Sequence, residues 1–389
     1  MPSIDDLKKY HDELTAIRRD IHAHPELGFE ELRTSDIVAG KLAGWGIDVH
    51  RGLGKTGVVG TLRLGNGPRS IGLRADMDAL PIEEANSFAH RSLNGGKMHA
   101  CGHDGHTAML LGAARYLAET RNFDGTAVVI FQPAEEGGAG GQAMVEDGMM
   151  DRFGIQQVFG MHNSPGLDVG KFAIKSGPMM AGGALFDILV NGVGAHGARP
   201  ESGVDPVVIA AQIVTACQTI ISRNIAPQET AVLSFTQIHS GDAYNVIPET
   251  ARIMGTARAF STTVLSTIEE NMRRIAEGIA AGMGGRAELD FRVEFLPTVN
   301  DEEQTVFAAD CAASVAGEDN VNRNRERIMA SEDFSYMLAV RPGAYINIGN
   351  GAGEEVCMVH NPGYDFNDEI LPLGAAYYAT LVETRLAKD

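Results

Sequence analysis

Residues 126–138 have the sequence TAVVIFQPAEEGG, in which a short apolar run is followed at once by a turn with two adjacent glutamates. The run Thr126–Gln132 has the length of a strand, and it is rich in the β-branched residues that favour strands. A continuous apolar run of this kind is typical of a strand that is covered on both faces, as in a parallel sheet flanked by helices. The segment therefore predicts a buried strand with an acidic turn at its carboxyl end.

The surrounding sequence extends this pattern over the first third of the chain. Strand-length apolar runs that are bounded by Gly, Pro or Asp alternate with stretches of helical periodicity. Such alternation predicts an α/β domain with a mostly parallel sheet and helices on its faces. The other predicted strands are Gly57–Leu64, Ser70–Ala75 and Gln157–Met161, and the predicted helices are 4–24, Ser35–Gly44 and His106–Ala118.

The pattern changes near residue 184, where strands and helices follow in the order β-α-β-β-α-β. This order is that of the ferredoxin-like α+β unit. Its predicted elements are Ala184–Val193, Asp205–Arg223, Glu229–His239, Thr250–Phe260, a helix from Ser261 or Thr262 to about Gly282, and Arg286–Phe295. The α/β pattern then returns with a helix at 301–316, a strand at Ala344–Ile348 and a helix at Leu373–Leu386. We therefore expect a catalytic domain at 1–183 and 297–389 that is interrupted by a smaller inserted domain at 184–296.

The composition excludes several classes of partner. The chain has 389 residues, of which 44% are hydrophobic, and its 32 basic and 51 acidic residues give a net charge of −19. Nucleic acids and anionic membranes are bound by clustered Lys and Arg, so we expect neither as a partner. We identify no apolar run near the ~18 residues of a membrane helix. The N-terminus lacks an apolar signal core, which predicts a cytoplasmic protein, and the four scattered cysteines do not indicate a disulfide framework.

The densest chemical segment is MHACGHDGH at 98–106, which combines a thiol, imidazoles and a carboxylate. Cys101 and His103 are two positions apart, and in an extended segment such residues point to the same side. Thiolate and imidazole are ligands that zinc and neighbouring metals prefer. The alternative is a helix N-terminus with incidental histidines, but the clustering favours a metal site.

Three further groups follow apolar runs. They are Glu135 and Glu136, His162, and His360. Each alone is a weak signal, but ligands of open α/β sheets bind beyond the carboxyl ends of strands. One glutamate would bind metal, and the other would remain available as a general base. Five ligands, Cys101, His103, Glu136, His162 and His360, exceed the need of one catalytic ion and suit a two-metal site with a bridging ligand.

A fifth acidic group, RADMDALP at 74–81, also follows a predicted strand. Its aspartates could orient a ligand histidine from outside the metal coordination sphere. For Asp76 a turn whose side chain caps nearby backbone is an equally good explanation. We favour Asp78 as the functional residue.

These motifs together resemble the metal-dependent amidohydrolases that include hippurate hydrolases, bacterial aminoacylases and indole-acetyl-amino-acid hydrolases, within the wider di-metal carboxypeptidase and aminoacylase group. The resemblance spans nearly the whole chain in order. The motifs that carry it are IHAHPELGFEE (21–31), LRADMDALP (73–81), MHACGHDGHTA (98–108), FQPAEEGGAGG (131–141), GMHNSPG (160–166), GAHGARPE (194–201), NVIPE (245–249), GTAR (255–258), SEDFSYM (331–337) and VHNPGYDFND (359–368).

The resemblance implies a role for each candidate residue. Cys101 would bridge two metal ions, with His103, Glu136, His162 and His360 as the remaining ligands. Glu135 would be the general base, and Asp78 would support a metal ligand. His196 would stabilise the oxyanion, in its own or a partner subunit's site. Asn245 and Arg258 would bind the substrate, and Arg258 suits this role because a guanidinium pairs well with a carboxylate. Without the resemblance, both His196 and Arg258 would be interpreted as ordinary exposed residues.

The implied activity is metal-dependent hydrolysis of an N-acyl amino acid, such as a hippurate-like or N-acetyl compound, to a carboxylic acid and a free amino acid. Several alternatives stay open: the same chemistry on N-acetyl-diaminopimelate, auxin-type conjugates or dipeptides; a cysteine hydrolase based on Cys101; and a metal-binding protein without turnover. The ligand set would accept Zn, Mn, Co or Ni. We expect a homodimer or higher oligomer, formed through the inserted domain.

Overall fold

The computed structural model describes residues 2–353 and 356–388, and these divide into two compact units. The first unit comprises residues 1–179, 299–326 and 333–389, and the second comprises 180–298 and 327–332. The helices are α1 (Ile4–Lys8), α2 (His11–Ala23), α3 (Leu32–Gly44), α4 (His103–Thr120), α5 (Gly140–Glu146), α6 (Met149–Arg152), α7 (Pro206–Thr219), α8 (Thr262–Gly282), α9 (Glu302–Ala316), α10 (Ser335–Leu338) and α11 (Leu371–Arg385).

The strands follow the same numbering along the chain. They are β1 (Asp48–Leu53), β2 (Gly57–Leu64), β3 (Ser70–Asp76), β4 (Gly125–Gln132), β5 (Gln157–Pro165), β6 (Phe172–Ala173), β7 (Gly177–Met180), β8 (Gly182–Asn191), β9 (Ala195–His196), β10 (Ala231–His239), β11 (Val246–Ile247), β12 (Thr250–Ala259), β13 (Arg286–Phe295), β14 (Thr298–Asn300), β15 (Val321–Asn322) and β16 (Gly343–Gly351).

The first unit is built on an eight-stranded sheet in the order β1-β2-β4-β3-β5-β16-β6-β15. Its central strands β4, β3, β5 and β16 run parallel, as the apolar runs predict. β2 is antiparallel to both β1 and β4. β1 and β2 are joined by a short turn, which favours an antiparallel pair. The sequence DVHRGL of β1 is polar and the strand lies at the sheet edge, which explains why periodicity did not predict it.

The predicted helix at 4–24 is two helices, α1 and α2, with a break at Lys9 and Tyr10. Tyr10 is buried, and its hydroxyl donates a hydrogen bond to Glu119 at the end of α4. The amphipathic pattern therefore continues across a turn in which Lys9 and Tyr10 keep dihedrals of the right-handed helical region but belong to neither helix. α1 itself begins at a capping box in which Ser3 and Asp6 exchange hydrogen bonds.

The second unit contains a four-stranded antiparallel sheet in the order β10-β12-β8-β13. Along the chain its main elements run β8-α7-β10-β12-α8-β13. Asp205 caps α7 through the N–H groups of Val207 and Val208, and Pro206 occupies the first helical position, where its missing N–H costs nothing. Apolar residues of β8 and β12, such as Ile188 and Ile253, form a core with Ile268 of α8.

The helical segment Pro206–Asn224 is long and apolar enough, by length and composition alone, to cross a membrane. The sequence analysis did not identify it because Gln, Thr and Ser interrupt the apolar run. Ile209, Ile213 and Cys217 on one of its faces lie in the core of the second unit. A core helix of a globular domain passes the same test of composition, and this packing favours that interpretation.

Buried charges join α2 to the start of α4 in the first unit. The guanidinium of Arg18 is fully buried, and its Nε lies 2.8 Å from the carboxylate of Asp104. Arg18 also pairs with Asp365, and His22 Nδ1 lies 2.8 Å from Asp104. Burial opposes the ionised form of Asp104, but the charges of Arg18 and His22 outweigh it and hold its pKa far below the usual value. The pairs anchor the helix that begins with His103.

We predict that Arg18→Met lowers the free energy of unfolding of the metal-free protein by about 3–5 kcal/mol, because it leaves the buried Asp104 carboxylate without its main counter-charge. The neighbouring Arg19 is half-exposed and pairs with Asp368, so Arg19→Met should cost no more than about 1 kcal/mol. Chemical denaturation followed by circular dichroism measures both. Equal losses in the two variants would contradict the importance of the buried pair.

Candidate metal centre

The predicted metal ligands converge at the carboxyl ends of the parallel strands of the first unit. Glu136 follows β4, His162 lies near the end of β5, and His360 follows β16. Cys101 and His103 lie at the start of α4, where Gly102 adopts a φ of 95°. A side chain at Gly102 would place its Cβ 2.5 Å from Asn163 Oδ1, so only glycine permits this close approach.

The five side chains form two groups that share Cys101. One group is Cys101, His103 and His162, and the other is Cys101, Glu136 and His360; within each, the potential ligand atoms all lie within 4.8 Å of one another. Cys101 Sγ is 3.3 Å from His162 Nε2, and Glu136 Oε1 is 3.0 Å from His360 Nε2. Two ligand groups joined by one thiol have the geometry needed for a pair of cations with a bridging ligand.

Asp78 connects two members of these groups. Nδ1 of His103 donates to Asp78 Oδ1 at 3.1 Å, and the backbone N–H of Glu136 donates to Asp78 Oδ2 at 2.9 Å. Burial lowers the pKa of His103, but Asp76, Asp78 and Glu136 outweigh it and raise the pKa to about 10. In the neutral ring that a metal requires, the contact with Asp78 keeps the hydrogen on Nδ1 and leaves the lone pair on Nε2. His103 Nε2 is buried without a hydrogen-bond partner. An acceptor that is buried and unpaired in this way fits a metal ligand, because a cation would satisfy it.

The electrostatic surroundings of the shared thiol also suit a cation. Burial raises the pKa of Cys101 well above its usual value, and the charges of Glu136, Glu135 and Asp76 raise it further. Burial lowers the pKa of His162 well below its usual value, which keeps its imidazole neutral. Neutral imidazole is the form that binds metal. The positive charge of a cation would offset the unfavourable effect of burial and of the neighbouring acids on the Cys101 thiolate.

Glu135 lies beside the ligands. It is buried, and one of its carboxylate oxygens lies within 4.8 Å of the ligand atoms of His103 and Glu136. The acidic turn in the sequence predicted this arrangement, in which the Glu135 carboxylate lies next to the candidate ligand carboxylate of Glu136. Glu135 therefore lies next to one candidate ligand of each group, His103 and Glu136.

A chain of buried polar contacts lies behind the candidate ligands and was not predicted from the sequence. Asp76 Oδ1 lies 2.6 Å from His106 Nδ1, His106 Nε2 lies 2.7 Å from Asn163 Oδ1, and Asn163 Nδ2 donates to the Tyr364 hydroxyl at 2.6 Å. Asp76 also accepts from Arg74 at 2.8 Å, so its side chain does not cap a turn. Asn163 and His106 lie inside the quoted motifs, but nothing in their spacing indicated that they contact each other.

His196, Asn245 and Arg258 lie in the second unit. His196 pairs with Val246 in the β9–β11 ribbon, and the N–H of the next residue, Gly197, donates to the Asn245 carbonyl at 2.7 Å. His196 and Asn245 are thus neighbours, and both are exposed. Arg258 is half-buried on β12 and donates to Ser331, and it forms no ion pair with any residue in the described part of the chain.

A model of peptidase family M20/M25/M40 matches residues 72–384. The chain belongs to this family. It is 43% identical to a hippurate hydrolase from Campylobacter jejuni over 98% of both chains. It is 38% identical to an N-acetylcysteine deacetylase from Bacillus subtilis over 96% of this chain and 97% of that protein.

Among solved structures, a dinuclear metal-binding peptidase of the M20 family from Bacillus subtilis is 35% identical, with a TM-score of 0.85 over 97% of this chain and 99% of that one. The resemblance identified from the motifs is confirmed, as are the α/β fold and the assignment of the chain as a hydrolase. The role of each site residue stays a prediction.

Proposed function

We propose that this protein hydrolyses the amide bond of N-acyl amino acids, hippurate-like or N-acetylated, to a carboxylic acid and a free amino acid. The observation that carries the proposal is the buried Glu135 carboxylate beside two ligand groups that share Cys101. The names of the hippurate hydrolase and the N-acetylcysteine deacetylase support an N-acyl amino acid as the substrate class.

Two divalent cations are the proposed cofactors, held by Cys101, His103, Glu136, His162 and His360. The buried unpaired Nε2 of His103 and the acids around the Cys101 thiol fit this role. When bound, the cations would polarise the amide carbonyl and make water a stronger acid. Thiolate, imidazole and carboxylate together suit Zn, Mn, Co or Ni.

Glu135 is the proposed general base. Its carboxylate would accept the proton of the attacking water and return it to the amine that leaves. Asp78 would keep His103 in the tautomer that presents Nε2, and through the N–H of Glu136 it would also hold the second ligand carboxylate.

Residues of the second unit would bind the substrate and its transition state. The N–H of Ala198 donates to Nδ1 of His196 at 3.0 Å, so the neutral ring carries its hydrogen on Nε2 and can donate it to an oxyanion. The Arg258 guanidinium has no carboxylate partner among the described residues, which suits it to pair with the carboxylate of an amino acid. Asn245 would contact the same substrate.

A cysteine hydrolase is the less favoured alternative. A nucleophilic cysteine needs a lowered pKa, whereas burial and three neighbouring acids raise the pKa of Cys101. A cysteine mechanism would also give no role to Glu135 and Glu136.

A homodimer and a cytoplasmic location are part of the proposal. β10 and β13 form the edges of the second unit's sheet, and unpaired edges favour pairing with another chain. Val232 and Ile238 on β10 are 38% and 52% exposed. The four cysteines are all unpaired, which is compatible with a reducing compartment.

For the dimer, sedimentation velocity should show a particle of twice the chain mass. Ile238→Lys places a charge on an exposed edge position and should shift the particle toward the monomer. Val340→Lys alters a residue of similar exposure, 43%, in the first unit, and should leave the dimer intact. A wild-type monomer at micromolar concentration would contradict the proposal.

For the general base, Glu135→Gln should lower kcat on hippurate by about 10²- to 10⁴-fold, because an amide cannot accept the proton. The same variant should keep two equivalents of zinc by elemental analysis. Glu136→Gln serves as the comparison and should lose one equivalent. Near-normal turnover in Glu135→Gln would rule out the assignment.

For the shared ligand, Cys101→Ala should weaken zinc binding at both sites in a calorimetric titration, because both groups lose the same sulfur. Cys311→Ala removes a thiol that is equally buried but lies on α9, and it should bind two equivalents as the wild type does. Chelation should abolish hydrolysis, and added zinc or manganese should restore it. Two sites of wild-type affinity in Cys101→Ala would contradict the bridging role.

A further inference from the structure

The turn that carries Glu135 and Glu136 has an unfavourable backbone. Ala134 immediately before them has a φ of 52°, in the left-handed region that residues with a Cβ rarely adopt. Ala134 is also fully buried. Such a conformation persists only where the surroundings hold it. The position of the two glutamates therefore depends on the contacts that Ala134 makes.

The backbone N–H of Ala134 is held by a carboxylate 103 positions away in the sequence, and its carbonyl accepts the N–H of Gly140 at 3.1 Å. Glu31 is fully buried, and its Oε1 accepts the backbone N–H of Ala134 at 2.8 Å. Its Oε2 accepts from the Thr56 hydroxyl at 2.6 Å. The Glu31 backbone is held as well, since its carbonyl accepts the N–H of Ser35 in the first turn of α3. Both carboxylate oxygens thus have partners, and one of them holds the turn.

A glycine of the same segment also packs against Ala134. A Cβ at Gly28 would lie 3.0 Å from Ala134 Cβ and 3.1 Å from its Cα. The backbone at residue 28 therefore packs directly on the turn. Residues 28–31 thus contact Ala134 through both a hydrogen bond and van der Waals packing.

We propose that Glu31 is a positioning residue that sets the location of Glu135 and Glu136 through the N–H of Ala134. The inference rests on the proposed function, in which these glutamates are the base and a ligand. It assigns a role to a buried acid that touches neither substrate nor cation. Displacement of the turn by a fraction of an ångström would misplace both carboxylates, and catalysis is sensitive to displacements of this size.

The two ligand groups should respond differently to loss of Glu31. Glu136 belongs to the group with Cys101 and His360, whereas the group of Cys101, His103 and His162 contains no residue of the turn. A positioning role therefore predicts weaker binding at one cation site only. A general loss of stability would affect both sites alike.

The experiment compares Glu31→Ala with Glu31→Gln by hydrolysis of hippurate and by zinc titration of the metal-free protein. Glu31→Ala should lower kcat at least tenfold with KM within twofold, and should weaken one zinc site at least tenfold while the other stays within twofold. Glu31→Gln keeps a carbonyl oxygen for the Ala134 N–H, and it should stay within threefold of wild type in each measurement.

Glu26→Ala is the matched control. Glu26 lies in the same segment and accepts the backbone N–H groups of Arg33 and Thr34 at 2.9 Å. Its side chain supports the start of α3, which Glu31 contacts only through its backbone carbonyl, and it accepts no hydrogen bond from the turn. Its loss should affect thermal stability while leaving kcat and both zinc affinities within twofold of wild type.

Gly28→Ala tests the same turn through a different contact and provides the decisive variant if Glu31→Ala does not fold. The added methyl should push Ala134 by a few tenths of an ångström, lower kcat three- to tenfold and weaken the same single zinc site. Wild-type kcat and zinc binding in folded Glu31→Ala, or in Gly28→Ala, would overturn the inference, as would equal weakening of both sites. A wild-type protein that neither binds zinc nor cleaves hippurate would instead overturn the proposed function.

Discussion

The contact between Asp78, His103 and the backbone of Glu136 is the constraint on which the arrangement of the first unit's site depends. One buried carboxylate receives the imidazole N–H of a residue at the start of α4 and the amide N–H of a residue after β4. It therefore fixes both the orientation of the ring and the distance between two chain segments. Because Asp78 is itself buried, a carboxylate at this position would be costly without these two donors.

The same principle applies to the other acids around the acidic turn. Asp333 accepts from Gly141 at 2.7 Å and from the Gln132 side chain at 2.7 Å, and Glu31 accepts from Ala134. Each of these carboxylates is buried, and each receives a donor from the segment that contains or flanks Glu135. A buried charge with one missing donor is costly, whereas a fully bonded one makes the local structure rigid. Such rigidity would keep the proposed base Glu135 and the proposed ligand Glu136 in place.

The second unit contributes a different kind of group. His196 and Asn245 lie on the short β9–β11 ribbon, where both side chains are exposed. Arg258 lies on β12, where it donates to Ser331. Side chains that are to contact a substrate must keep free hydrogen-bonding capacity, so they cannot be fully bonded within the protein. The buried carboxylates of the first unit and the proposed substrate-binding groups of the second unit would thus meet opposite requirements.

Local patterns in the chain were enough to predict most of the strands and helices, the cluster of ligand residues and the turn with two glutamates. Hydrophobic periodicity and turn residues depend on neighbouring positions, so β13 and α8 are predicted nearly to the residue. The polar edge strand β1 and the break between α1 and α2 have no such local signal. The contacts of Glu31 with Ala134 and of Asp76 with His106 join residues that are 103 and 30 positions apart. Such contacts depend on how the sheet and its helices pack, and the hydrophobic periodicity of a single sequence does not indicate that packing.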